Sequence, residues 1–257
     1  MINYKTREEV AIMKEGADIL GRAHGEVAKR VQPGIRTKEL DRIAEEFIRD
    51  HGGIPSFKNY NGFPAALCIS VNENVVHGFP SDYELREGDI ISVDCGVYYK
   101  EFHTDSAYTY PVGEVADEVT ELLKVTKESL YQGIEQAKAG NRIGDVAHAI
   151  QAYIEPYGYG IVRELVGHGV GRQLHESPEV PNYGKRGRGT TLKDGLVIAI
   201  EPMVNLGTRS VVQESDGWTI RTSDRKPSAH FEHTVAIFKE GTEVVTTHKY
   251  IEENVKF

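Results

Sequence analysis

Residues 34–94 and 140–201 carry the same order of breakers, apolar positions and charged groups, at an offset of 106 for the helical part and 107 for the last strand. Placing Gly34 on Gly140 also puts Arg36 on Arg142 and Gly52 on Gly158. Leu40, Phe47 and Ile48 then fall on Val146, Tyr153 and Ile154. These positions recur at helical spacing, so the same helix face stays apolar in both copies. Further along, Asn74-Val-Val-His-Gly parallels Leu165-Val-Gly-His-Gly, with His77 on His168, and Gly88-DIISVD parallels Gly195-LVIAIE, with Glu201 on Asp94. After a longer excursion, Glu232 in HFEHTVAIF takes the place that Asp105 has in the first half. Two amphipathic helices resemble each other by chance; a repeated His-Gly and two repeated strand carboxylates are a stronger signal. The expectation is a single pseudo-symmetric α/β (α+β) domain over 1–257, with two helix–helix–strand halves facing each other and no Pro/Ser-rich linker between them.

Local patterns fill in the elements. A first helix is expected from about Arg7 to Val31, opened by a Thr6/Glu9 capping box and ended by Pro33-Gly34. A second starts near Thr37 and stops at Gly52-Gly53. A turn-rich segment from Pro55 to Pro64 leads to LCISVNENVVHG, which reads as strand closed by His77-Gly78. In the second half a long helix spans Ala116 to Ala139, Gly140 breaks it, and another helix follows through Val146, Ala147, Ile150 and Ile154 to Pro156. Between the halves, Ile91 to Tyr110 reads as a β-hairpin rich in Val, Tyr, Phe and Thr. Folded about the Tyr99–Lys100 bond, it sets Asp94 opposite Asp105.

That pairing is electrostatically costly. Like charges facing each other on one sheet face repel, and burying an unpaired carboxylate costs several kcal/mol. The same difficulty recurs in the second half, where Glu201 and Glu232 interrupt apolar strands. Pooling both halves gives Asp94, Asp105, His168, Glu201 and Glu232 as inward-facing candidates. One Arg or Lys does not satisfy four buried carboxylates, whereas two divalent cations match their charge. Four carboxylates and one imidazole form a hard, oxygen-rich donor set, unlike the Cys/His sets of structural zinc. Bridging carboxylates suit ions about 3.5–4 Å apart, an arrangement that activates water and clamps an oxyanion. Co(II), Mn(II), Fe(II) and Zn(II) are all chemically acceptable.

Composition narrows the class. The chain has 257 residues, 39% hydrophobic and 27% charged, with a net charge of −9. That balance argues against a nucleic-acid backbone binder and against an anionic membrane surface. No apolar run reaches the roughly 20 residues of a membrane span, and MINYKTREEV does not read as a signal peptide. Two cysteines, Cys68 and Cys95, make no disulfide framework, so a reducing, cytoplasmic setting is expected.

The set VDCG, HTDSA, GHGVG, IEP and FEHT, in this order and spacing, resembles the type I methionine aminopeptidases of the pita-bread fold, and the likeness runs from Met1 to Phe257. The resemblance implies a curved antiparallel sheet with a dinuclear metal site at its centre. It implies Asp94, Asp105, His168, Glu201 and Glu232 as the ligands, with a hydroxide shared by the two metals attacking the first peptide bond. Glu201 would also shuttle a proton to the departing amine. His77, in VVHGFP, and His175, seven residues after His168, match two histidines that hydrogen-bond the substrate around the scissile amide and stabilise its oxyanion. Tyr60, Phe63, Cys68 and Trp218 would form the methionine pocket, since aromatic and sulfur groups suit a polarizable thioether. Cys95 points away from Asp94 and reads as packing.

The implied substrates are N-termini of nascent polypeptides whose second residue is small, with transient ribosome association compatible and a monomer expected. The chain departs from the family pattern at Thr104, where a small residue is usual, and at His230, where Gln is frequent. A proline-directed aminopeptidase or dipeptidase shares the five-ligand pattern but usually carries a separate N-terminal domain, and about ninety residues precede Asp94 here. A type II enzyme would need a helical insertion between His168 and Glu201. A non-catalytic pita-bread binding protein would be expected to have lost ligands, and all five are present.

Overall fold

The computed structural model describes all 257 residues. Its helices are α1 (Arg7–Ala28), α2 (Thr37–Asp50), α3 (Asp117–Gln136), α4 (Ile143–Ile154) and a short α5 (Lys249–Glu252). In the first half the strands are β1 (Ile54–Pro55), β2 (Leu67–Val71), β3 (Asn74–Val76), β4 (Ile90–Tyr99) and β5 (Phe102–Pro111). The second half holds β6 (Gly160–Ile161), β7 (Gly167–Gly169), β8 (Glu176–Val180), β9 (Leu196–Ile200) and β10 (Met203–Asn205). It continues with β11 (Val211–Gln213), β12 (Ile220–Thr222), β13 (Ser228–His230), β14 (His233–Phe238) and β15 (Gly241–Val244). No helix is long and apolar enough to cross a membrane.

The repeat is visible in the backbone. The α1–α2 pair and the α3–α4 pair each precede an antiparallel strand pair, β4–β5 and β9–β14. Gly34 and Gly140 both have φ above 90°, a region where a side chain is strained. Arg36 and Arg142 cap α2 and α4, and each makes an isolated antiparallel bridge, to Glu84 and to Thr191. Ordinary packing energetics hold these parts together: Leu20, Leu40 and Ile48 from one half and Leu122, Val146 and Ile150 from the other are fully buried in one apolar cluster against β4, β9 and β14. Burying each such side chain stabilises the fold by about 1.5–3 kcal/mol before entropy is counted.

Helix starts fall where the sequence places them, and ends fall earlier. Thr6 and Glu9 make the reciprocal capping box, but α1 stops at Ala28, three residues short of Val31, and α3 occupies Asp117–Gln136 inside the expected Ala116–Ala139. Nothing forces a stop at Val27 or Val31 in an apolar-periodic run, so periodicity overshoots there. LCISVNENVVHG is two strands, not one, because Asn72 turns the chain at φ 50°.

The hairpin register differs from the sequence expectation. The turn is at Lys100–Glu101, both left-handed, with φ of 45° and 72°, and Tyr99 pairs with Phe102. Asp94 therefore stands opposite Ala107, and Asp105 opposite Gly96. The displacement is two residues, so both aspartates keep the same face and become diagonal neighbours. A left-handed pair is the turn that follows strand twist, and Lys-Glu carries none of the Asn-Gly signal that normally announces it.

The second-half acids are also placed differently. Glu201 lies just beyond β9 and Glu232 just before β14, so neither is inside a strand. β9 pairs with β14 and β10 with β13 in one register, with Ile200 opposite His233 and Met203 opposite His230. Glu201-Pro202 and Phe231-Glu232 form the matching break between the two ladders. Pro202 has no N–H to give to a ladder, which accounts for the break at this point.

Hydroxyls stitch the halves together. Thr234 Oγ1 accepts from the Asp105 N–H (3.2 Å) and donates to its carbonyl (2.8 Å). Ser106 Oγ donates to the Glu232 carbonyl at 3.0 Å, and the Glu232 N–H donates to Ala107 O at 3.0 Å. Thr109 Oγ1 does for His230 what Thr234 does for Asp105, at 2.8 Å in both directions. This seam holds Asp105 beside Glu232.

Candidate metal centre

Strand parity decides what faces inward. Asp94 and Cys68 are cross-strand partners in β4 and β2, so they share a face, while Cys95, paired with Leu67, points into the apolar core and is 1% exposed. β7 carries His168 between β8 and β9, so it is a strand residue rather than a loop histidine. The outcome is a single cavity of about 620 Å³. It is lined by Asp94, Asp105, His168, Glu201 and Glu232, by His77 and His175, and by Tyr60, Phe63, Cys68 and Trp218. All eleven residues singled out in the sequence meet there. Their separation along the chain, from Tyr60 to Glu232, is closed by the two ladders and the hydroxyl seam.

The acidic end is tightly built. Asp105, His168 and Glu232 each present a ligand atom within 4.8 Å of the others. His168 Nε2 is 3.9 Å from Asp105 Oδ2 and 3.6 Å from Glu201 Oε1. His168 Nδ1 lies 2.8 Å from the Gly169 carbonyl, which favours the tautomer with its proton on Nδ1 and a lone pair on Nε2. Oδ1 of Asp94, Oδ1 of Asp105 and Oε1 of Glu232 are buried with no hydrogen-bond partner. Orphaned carboxylate oxygens in an interior need a donor or a cation. Burial pushes all four carboxyls up, Asp94 to about 7 and Glu201 to about 8. Asp105 and Glu232 are raised well above the usual range, first by burial and then by repulsion from the neighbouring acids. Burial pushes His168 the other way, to about 4, so its imidazole is neutral. Neutral imidazole, hard oxygens and unmatched negative charge fit divalent cations.

The other end is apolar. Phe63, Cys68, Phe57 and Leu174 are buried in one small cluster, with Phe79 and Trp218 packed against it. Phe63 meets Trp218 edge to face at 5.3 Å between centroids. Phe57 and Leu174 belong to this wall and carried no sequence signal. Phe57 lies in the turn-rich connector, and Leu174 between two histidines, where no apolar periodicity exists to notice.

Two histidines sit between the ends. His77 has φ 58° and opens into the cavity, where loss of solvation pushes it to about 4. His175 is exposed at the mouth, 4.3 Å from the His168 ring, and its Nδ1 is 2.8 Å from the Tyr60 hydroxyl. Desolvation lowers His175 too. Of the two departures, Thr104 is fully buried with its hydroxyl unpartnered, and His230 is buried behind Glu201, Nε2 3.5 Å from Oε2.

Comparison with known proteins agrees over the length of the chain. The sequence profile of metallopeptidase family M24 matches residues 11–239. A methionine aminopeptidase of Clostridium perfringens is 52% identical over 96% of this chain and 99% of its own. The crystal structure of methionine aminopeptidase from Rickettsia prowazekii superposes with a TM-score of 0.94 at 37% identity, covering 96% of this chain and 100% of that one. A prolidase from Pyrococcus furiosus is also similar, at 25% identity with a TM-score of 0.79, and there 95% of this chain covers 65% of the other.

Proposed function

The chain belongs to metallopeptidase family M24 and has the activity of its methionine aminopeptidase relatives, and on that premise we propose how the cavity carries out that activity. One observation carries the proposal: a cradle of four carboxylates and an imidazole shares a single cavity with an apolar wall of aromatic, sulfur and leucine side chains. We read 1–257 as one catalytic unit, since the buried apolar cluster draws on both halves.

Asp94, Asp105, His168, Glu201 and Glu232 would hold two divalent ions, with Mn(II), Fe(II), Co(II) and Zn(II) as the candidates. When bound, such ions supply Lewis acidity and an activated water at neutral pH. The remaining work falls to the protein. Phe57, Phe63, Cys68, Leu174 and Trp218 surround the methionine side chain and exclude water from it. Burying that side chain fixes the scissile carbonyl against the cradle, converting binding energy into orientation. His77 and His175, both neutral near pH 7, each offer one N–H to the carbonyl oxygen as negative charge develops on it. Glu201, its carboxylate kept ionised by the bound cations, would take a proton from the attacking water and pass it to the leaving amine. The preference for a small second residue is carried over from the methionine aminopeptidases that the chain resembles. Two free cysteines, Cys68 and Cys95, are consistent with a reducing cytoplasmic setting.

The test is methionine release from Met-Ala-Ser by protein stripped of metal and then loaded with Mn(II) or Co(II), beside Met-Ile-Ser and Ala-Pro peptides. Release that requires metal, stops with chelator and is restricted to Met-Ala-Ser supports the proposal. A folded, metal-loaded sample that cleaves only the prolyl peptide, or nothing, overturns it.

A further inference from the structure

Glu201 stands between two imidazoles. His168 Nε2 is 3.6 Å from one carboxylate oxygen, Oε1, and His230 Nε2 is 3.5 Å from the other, Oε2. The main chain of His230 is pinned: its backbone N–H donates to Thr109 Oγ1 and its carbonyl accepts from the same hydroxyl, both at 2.8 Å, while Met203 of β10 pairs with it. The residue is 1% exposed, and neither ring nitrogen has a hydrogen-bond partner. A neutral imidazole carries one N–H donor and one acceptor, and a buried donor left unpaired is costly. Glu201 Oε2 is the acceptor that the fold puts within reach of a small ring rotation.

We propose that His230 is a positioning residue for Glu201: its Nε2–H holds Oε2, which turns Oε1 toward His168 and the interior of the cradle. The inference rests on the reading of Glu201 as part of that cradle. A carboxylate that both holds a cation and moves a proton needs its two oxygens distinguished, and a donor fixed on one of them does this. The ordinary alternative is that the ring only fills space between β5 and β10, in which case its nitrogens are irrelevant.

The experiment compares wild type, His230→Leu and His230→Gln, each freed of metal. Mn(II) binding is followed by titration calorimetry, and turnover of Met-Ala-Ser at saturating Mn(II) gives kcat and KM. His230→Leu keeps the bulk and removes the donor; it weakens Mn(II) binding or lowers kcat by about 10–100-fold, with KM moved far less than kcat. His230→Gln, whose amide N–H reaches the same oxygen, recovers most of the loss. Wild-type affinity and kcat in His230→Leu overturn the proposal, as does a glutamine variant no better than the leucine one. Nitrogen-15 NMR of metal-free wild type needs no variant to fold. A proton on Nε2 of His230 with a bare Nδ1 supports the assignment, and the opposite tautomer overturns it. If wild type itself binds no Mn(II), the cradle reading fails first and takes this inference with it, an outcome distinct from failure of the histidine alone.

Discussion

The Tyr60 hydroxyl lies 2.8 Å from Nδ1 of His175, so a residue counted as a pocket aromatic also fixes an imidazole. With the hydroxyl donating, the His175 proton is on Nε2, the nitrogen left free to meet a substrate oxygen. Tyr60→Phe keeps the ring and deletes the bond. A hydrogen bond of this kind contributes about 1 kcal/mol, so kcat/KM on Met-Ala-Ser is expected to fall roughly five-fold, with the loss mainly in kcat. A variant with unchanged kcat would show that the tautomer is set by something else.

His24 supplies a pH-dependent element behind the site. It is buried, with Nε2 3.0 Å from Ser106 O and Nδ1 2.9 Å from the Tyr110 hydroxyl, and burial pushes its pKa down to about 4. A histidine depressed in the folded state binds fewer protons there than when unfolded. Its contribution is complete above the unfolded value near 6.5 and is lost as pH falls toward about 4. The slope is about 1.4 kcal/mol per pH unit for one group. Urea unfolding of wild type and His24→Asn at pH 7 and pH 5 reads this directly: the stability gap between them narrows by about 2 kcal/mol at the lower pH. A constant gap would contradict a neutral, buried His24.

Thr104 is a stability liability that substitution removes. It is fully buried on β5 opposite Val97, and its hydroxyl has no partner. An unpaired buried hydroxyl costs about 1–3 kcal/mol, and valine has nearly the same shape without that cost. Thr104→Val is expected to raise the free energy of unfolding by about 0.5–1.5 kcal/mol, measured from the denaturant midpoint at constant m. A drop in midpoint would reveal a hydrogen-bond partner, such as a buried water.

What was legible in the sequence follows a physical pattern. The duplication could be read because Gly34 and Gly140 take the same left-handed conformation and Arg36 and Arg142 stand at the N-caps of α2 and α4 in both halves. The grouping of the four acids with His168 was readable too, since buried carboxylates at duplicated positions demand a shared remedy, whereas His77 and His175 came only with the family resemblance. The hairpin register was not, because Lys100-Glu101 adopts a left-handed turn without the usual residues. Parity rescued the conclusion: an error of two keeps Asp94 and Asp105 on one face, where an error of one would have buried the wrong residues. Phe57 and Leu174 escaped because pocket walls drawn from irregular segments have no period. His230 was legible only as a departure from a family habit; its unpartnered ring nitrogens are a property of three strands at once.

The glycines around His168 give the last prediction. A Cβ on Gly167 would meet the Ala199 carbonyl at 2.4 Å, and one on Gly169 would meet the Ser177 carbonyl at 2.5 Å. Neither glycine has a left-handed φ, so the requirement is close approach of the flanking backbones rather than conformational freedom. β7 is only Gly167–Gly169, held between β8 and β9, and it carries His168. Backbone carbonyls give way less readily than side chains, so Gly167→Ala must displace β7 itself. Overpacking of this kind costs about 1–3 kcal/mol, and the displacement carries His168 away from Glu201 and Asp105. Gly167→Ala is therefore expected to lose stability without metal and also to bind Mn(II) more weakly, two losses measurable separately by urea unfolding and calorimetry. A variant that loses stability while binding Mn(II) like wild type would show that the strand yields without moving the imidazole.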